Sequence, residues 1–201
     1  MPKIQYNLIM QPTNKVRFDS FSDGVFAIAV TLLALELRVP YLPSSGSPFS
    51  LQGLVPLIPG LLTFVLSFVA IAIFWVNHHQ LTQTLVTINR RRILWLNMLF
   101  LLFLILIPFV TQTVSLNAPS SVAVSIYALV LFGASASFSF LRYWIHKSVG
   151  EHKIAMKRSI IGPIIYILAI IAPIFSITLG YVLLAIPPLF YFLPKGSASS
   201  L

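Results

Sequence analysis

Residues 93–112 read ILWLNMLFLLFLILIPFVTQ, an apolar run that no charged side chain interrupts. At about 1.5 Å per residue a helix of that length rises about 30 Å, the thickness of a bilayer's hydrocarbon core. Working outward, five further stretches are mostly apolar: residues 18–38, 54–76, 122–144, 159–175 and 178–194. Each must be helical, because hydrocarbon offers no partner to a free backbone N–H or C=O and the runs lack the alternation of a membrane barrel. The last two are short and share a tight turn at Ser176 to Gly180. Prolines inside the runs, at Pro56, Pro59, Pro108, Pro163, Pro173, Pro187 and Pro188, are tolerated in packed membrane helices as kinks. The predicted fold class is an all-α polytopic membrane protein with six transmembrane helices, forming one domain over 1–195 and ending in a flexible tail, 196–201.

Composition agrees. Hydrophobic residues make up 58% of the 201 and charged ones 8%, with a mean hydropathy of +0.93, where a water-soluble domain carries about a quarter charged residues. The net charge of +9 does not point to nucleic acid, since the basic residues stand in short clusters between apolar runs and form no interleaved basic face. Having no cysteine, the chain has no disulfide, thiolate metal site or cysteine nucleophile. The segment Met1 to Val16 is polar and lacks the apolar core and small-residue cleavage site of a signal peptide, so the first run is expected to be retained.

Orientation follows from lysine and arginine, which concentrate in short cytoplasmic loops. Lys3, Lys15 and Arg17 precede the first run; Arg90, Arg91 and Arg92 lie between the second and third; Arg142, Lys147, Lys153, Lys157 and Arg158 lie between the fourth and fifth; Lys195 follows the sixth. The opposite loops hold only Arg38. That bias requires an even number of crossings with both termini cytoplasmic, in a multi-pass protein of the cell membrane. The Pro-, Ser- and Gly-rich segment Tyr41 to Ser50 then becomes an external loop.

Three of the four acidic residues, Asp19, Asp23 and Glu36, sit in or beside the first run. An ionisable group at membrane depth costs at least a few kcal/mol unless partnered, and so marks a functional position. For Asp23 a structural reading competes. Ser20 and Asp23 have the spacing of a capping box, which would start the helix near Ser20 at the inner interface. On a helical wheel Phe21, Gly24, Ile28, Leu32 and Leu35 share one stripe, while Ser22, Asp23, Phe26, Val30 and Leu33 share the other side. Asp23 is thus expected to point into its own bundle, toward Arg17, Trp75, Asn77, His78 or His79. By itself the stripe reads as ordinary lipid contact or helix packing, and the Thr31 hydroxyl beside it can bond back within its own helix.

The same stretch carries a resemblance. Arg17-Phe18-Asp19-Ser20-Phe21-Ser22-Asp23-Gly24-Val25-Phe26-Ala27-Ile28-Ala29-Val30-Thr31-Leu32-Leu33 resembles the signature helix of the transmembrane protein 175 family, the lysosomal-type potassium channels and their bacterial relatives. Phe74-Trp75-Val76-Asn77-His78-His79, closing the second run, and Leu106-Ile107-Pro108-Phe109, in the third, support the likeness. A single six-span unit resembles the bacterial, homotetrameric members. The resemblance implies a cation channel that prefers potassium and passes other monovalent cations, needs no cofactor or metal, and has a central pore lined by the first helix of each subunit. Carried over by position, Ile28 is the narrowest constriction, Leu32 and Leu35 are apolar layers outside it, and Thr31 is a hydroxyl layer linked to cation preference. Arg17, Phe21, Ser22 and Asp23, with Trp75, Asn77, His78 and His79, match a network that holds the pore helix.

Other residues support less. Adjacent His78 and His79 point about 100° apart on a helix and do not chelate one metal as an i, i+4 pair would. Serines in Ala134-Ser135-Ala136-Ser137-Phe138-Ser139 read as close helix packing more than as nucleophiles. Trp75, Trp95, Tyr143 and Trp144 fall near inner span ends, as an interfacial aromatic belt does. Glu36 reads as a cation-attracting group at the outer mouth, or as a solvated side chain paired with Arg38. A secondary transporter and a membrane-embedded enzyme or lipid-binding scaffold are the competing classes. Transporters show internal repeats and midplane polar groups, and an enzyme needs a catalytic pair that Asp23 and two histidines scarcely provide.

Overall fold

The computed structural model describes residues 13–36, 58–85, 91–149 and 155–192. Within them lie six α-helices, α1 (Thr13–Leu35), α2 (Ile58–Gln83), α3 (Arg91–Asn117), α4 (Ser121–Val149), α5 (Ala155–Phe175) and α6 (Ile177–Phe192). The loop Tyr41–Ser50, the residues Arg38, Pro56, Arg90, Glu151, Lys153 and Lys195, and the tail 196–201 lie outside the described residues. Helices α1 to α4 are each long and apolar enough to cross a bilayer, whereas the apolar parts of the last two, Ile160–Phe175 and Ile177–Leu189, are shorter. The six predicted spans are therefore all present as helices.

Their ends differ from the apolar runs. Helix α2 continues to Gln83, α3 begins at Arg91 and α4 continues to Val149, because a helix that has satisfied its own backbone does not stop where hydrocarbon stops. The capping-box reading of Ser20 and Asp23 is overturned: α1 already runs from Thr13, which places Ser20 in the helix interior, where no orphan N–H needs a cap. A Lys15–Asp19 ion pair of 2.8 Å, one turn apart, and burial of Phe18 against the core favour helix in that first stretch. The expected turn from Ser176 to Gly180 shrinks to Ser176 alone. Its N–H bonds Ala172 O at 2.9 Å, and its Oγ accepts from Leu179 N–H at 3.4 Å, so one serine ends α5 and caps α6. Gly180 belongs to α6, where its missing Cβ leaves room for the Pro173 ring of α5.

Helix α3 packs on α4, α4 on α5 and α5 on α6, while α1 rests on α2 and α3. Phe100, Leu104 and Ile107 of α3 and Tyr127, Leu131, Leu141 and Ile145 of α4 belong to one buried core. Between apolar helices in lipid, association rests on close packing and interhelical hydrogen bonds, and both are visible. Gly133 of α4 lies so close to α3 that a methyl group there would overlap the Phe103 ring, and the Ser135 hydroxyl fills the space beside Gly162 of α5. Ser137 and Ser139 donate back to the carbonyls of Gly133 and Ser135, at 2.6 and 2.8 Å, so this small-residue stretch packs helices, as read. Ser67 of α2 joins Thr111 of α3 and Tyr127 of α4 through two 2.7 Å hydrogen bonds, a buried polar clasp that ties three helices together.

Gly133→Ala should therefore lower unfolding stability by about 1–3 kcal/mol through overpacking, and adding Phe103→Leu should restore part of the loss. If the single variant unfolds with the wild type in detergent, the close approach of α3 and α4 does not limit stability.

Candidate functional site

Helix α1 has two faces. Phe18, Ser22, Phe26, Ala29 and Leu33 are buried against α2 and α3, and their steps of three or four residues make one continuous stripe. On the other side Ile28, Leu32 and Leu35 are 57%, 42% and 72% exposed. Phe21, Gly24 and Thr31 are exposed with them. Hydroxyl and stripe are compatible: Thr31 Oγ1 donates to Ile28 O at 2.9 Å, as the back-bonding reading expected. Its proton is thereby engaged, and the oxygen lone pairs remain for a ligand on the exposed side.

The buried face is held by a directed chain of hydrogen bonds. Ser22 Oγ donates to Phe18 O at 2.9 Å, Asn97 Nδ2 donates to Ser22 Oγ at 3.0 Å, and His78 Nε2 meets Asn97 Oδ1 at 2.8 Å. With the amide so oriented, Oδ1 can only accept, and Nε2 of His78 carries the proton. All three side chains are buried. The imidazole sits among Phe18, Phe26 and Phe100, with centroids 6.0, 5.6 and 5.9 Å away. One residue from each of α1, α2 and α3 thus fixes the rotation of α1, and with it the direction of the opposite stripe.

Asp23 does not enter that chain. Its Oδ1 accepts from Trp75 Nε1 at 3.0 Å on the exposed flank of α1, so its partner is among the expected ones although its side chain is not interior. Trp75 stacks on His79 at 5.8 Å, and His79 Nε2 meets Gln83 Nε2 at 2.8 Å. Asn77 faces elsewhere: Arg142 of α4 donates to its Oδ1 at 3.2 Å. Phe21 lies on the exposed stripe and Arg17 is exposed, neither with a hydrogen bond or ring contact among the described residues. Glu36 follows the last turn of α1, its N–H bonded to Leu33 O at 3.2 Å; its Oε2 is buried without a hydrogen bond among the described residues. The two histidines diverge, and no cluster of metal-ligating side chains occurs among the described residues.

No motif in the sequence marks Asn97. The available signal was its isolation in an apolar run, since a polar side chain at membrane depth implies a partner on another helix. For the exposed bond, Asp23→Ala and Trp75→Phe should each reduce stability by about 1 kcal/mol, and the double variant should lose no more than either single one. Additive losses in that cycle would mean the bond contributes nothing.

Fold and site together define a polytopic α-helical membrane protein whose first helix is locked on one face and bears an exposed apolar stripe on the other. A family model described as "Endosomal/lysosomal potassium channel TMEM175" matches residues 17–108, which hold that helix from Arg17 on, α2 and the first part of α3. The chain is similar to a protein of Chryseobacterium sp. (strain P1-3) named as a potassium channel, at 35% identity over 69% of this chain and 68% of the relative. It is 33% identical to one of Chamaesiphon minutus, also named as a potassium channel, over 70% of each chain. The crystal structure of a lysosomal potassium-selective channel TMEM175 homolog from Chamaesiphon minutus superposes with a TM-score of 0.78 at 31% identity, covering 89% of this chain and 96% of that one. The chain belongs to the TMEM175 family.

Proposed function

We propose that this protein is a potassium-permeable cation channel that assembles as a homotetramer in the cell membrane, with α1 of each subunit facing a central axis. The carrying observation is the division of α1 into a hydrogen-bonded, buried face and an exposed stripe of Ile28, Leu32 and Leu35, in a chain whose relatives are named as potassium channels. One helix cannot enclose a path, but symmetric copies can, and closed rings are the common assembly of identical subunits. Ile28, Leu32 and Leu35 then form successive apolar rings about 4–6 Å apart along the helix axis. A ring of isoleucines at the axis excludes water and stops ions by dewetting. Thr31 offers hydroxyl oxygens between the rings, a ligand type that suits a partly dehydrated monovalent cation.

With both termini cytoplasmic, α1 runs from inside to outside, and the negative end of its dipole faces the outer mouth, where it favours cations. Glu36 adds charge there. The chain of Ser22, Asn97 and His78 acts as the strut that keeps the stripe turned to the axis, while Asp23 and Trp75 brace its flank.

Flux from liposomes tests the function. Passive flux that follows an imposed potassium gradient and reverses with it is expected, whereas saturable exchange that requires a counter-substrate would make the protein a transporter. Orientation has its own test, eased by the absence of native cysteine. A cysteine at Ser120, between α3 and α4, should react with an impermeant thiol reagent added to intact cells, and one at Ser148, in the last turn of α4, should not. Labelling at Ser148 would reverse the topology.

A further inference from the structure

At the end of the bundle where α3 begins and α4 ends, two cations converge on one indole. Arg92 Cζ and Lys147 Nζ each stand 4.9 Å from the centre of the Trp144 ring, so their charges are separated by at most twice that distance. Lys147 also reaches Tyr143, at 5.8 Å. Each cation–π contact is favourable alone, but bringing two like charges to one ring is not, and neither has a carboxylate partner among the described residues. The described acids, Asp19, Asp23 and Glu36, all belong to α1 or its end, and the ion pair found there joins Asp19 to Lys15. Arg92 is also badly placed for its own helix. Arg91 and Arg92 occupy the first turn of α3, which holds no acidic residue, at the positive end of the dipole, where anions are stabilising and cations are not.

Below each cation runs an exposed apolar stripe. On α3 it continues from Arg92 through Trp95, Leu99 and Leu102, and on α4 from Lys147 through Tyr143 and Phe140, all exposed. Trp95 is the most open of them, at 74%. The pattern is a cationic head above two apolar rails on neighbouring helices, the complement of a phosphate carrying acyl chains. We infer that Arg92, Lys147 and Trp144 form a binding site for the phosphate of an anionic phospholipid, its chains lying along the exposed faces of α3 and α4. The bound phosphate relieves the repulsion of the two cations and accepts hydrogen bonds from both. The inference does not depend on the pore reading, since it concerns the outside of α3 and α4.

Native mass spectrometry of the purified protein, titrated with dioleoylphosphatidylglycerol or dioleoylphosphatidylcholine, reads the site directly. The wild type should retain phosphatidylglycerol preferentially. Arg92→Gln/Lys147→Gln should weaken that retention about tenfold, while Arg91→Gln, an exposed charge on the same turn, should change it by less than about twofold. An unchanged double variant, or an equal loss in Arg91→Gln, would overturn the site in favour of diffuse surface charge. Displacement of the lipid by equimolar inorganic phosphate would overturn it in favour of a free anion. A readout independent of those variants is quenching by brominated phosphatidylglycerol, taken as the difference between the wild type and Trp144→Phe. No difference means that no lipid reaches Trp144, as when another subunit covers it, and the proposal fails.

Discussion

Ile28→Asn is expected to raise the resting cation leak of the reconstituted protein by about tenfold or more. On the proposed function, four apolar side chains at the axis hold water out and four amides would admit it, because each offers donors and acceptors where a hydrocarbon offers none. Lowering the barrier by as little as about 1.4 kcal/mol gives a factor of ten in rate, and a polar-for-apolar exchange at a constriction is worth at least that. Preference among cations should weaken as well, since ions then pass with more of their hydration shell. The comparison is Ile164→Asn, on the exposed face of α5, where an amide meets lipid or a neighbouring helix and not the proposed path. Flux is normalised to folded protein in both cases. Equal flux from the two variants would remove Ile28 from the pore and leave the α1 stripe as ordinary apolar surface.

The second large effect is on stability. Asn97→Leu should destabilise the folded protein by about 2–4 kcal/mol, because the amide joins two buried partners and its loss strands both the Ser22 oxygen and the His78 N–H. Removing the stranded group should recover part of that loss. His78→Phe/Asn97→Leu fills a site already walled by Phe18, Phe26 and Phe100 and is expected to be more stable than Asn97→Leu alone. Thermal unfolding in detergent measures both. If His78→Phe makes matters additively worse, the imidazole contributes packing and not its hydrogen bond. Flux provides a further reading: on the proposed function, loosening this strut lets α1 rotate, so the surviving folded fraction of Asn97→Leu should show altered open probability with its ion preference retained.

The solvent and the helical elements are legible in the chain's residues alone. Long, mostly apolar runs admit no structure but helices in a bilayer, and a period of 3.6 separates Ile28, Leu32 and Leu35 from Phe26 and Leu33 wherever α1 is placed. Local chemistry also decides the small-residue packing of α4, because glycine and serine are what close approach requires. Relations between helices were not legible in this way. The pattern of Ser20 and Asp23 reads as a cap until α1 is seen to start at Thr13, and neither histidine reveals from its spacing that His78 turns inward to Asn97 while His79 stacks on Trp75. Asn77 adjoins His78 yet bonds Arg142, since neighbouring residues on a helix face different helices. Periodicity fixes which residues share a face of one helix, but the rotation and register of one helix against another depend on contacts between residues far apart in the chain. Only the tertiary structure could therefore decide that Asn97 of α3 holds α1 in place and that Arg92 and Lys147 meet at Trp144.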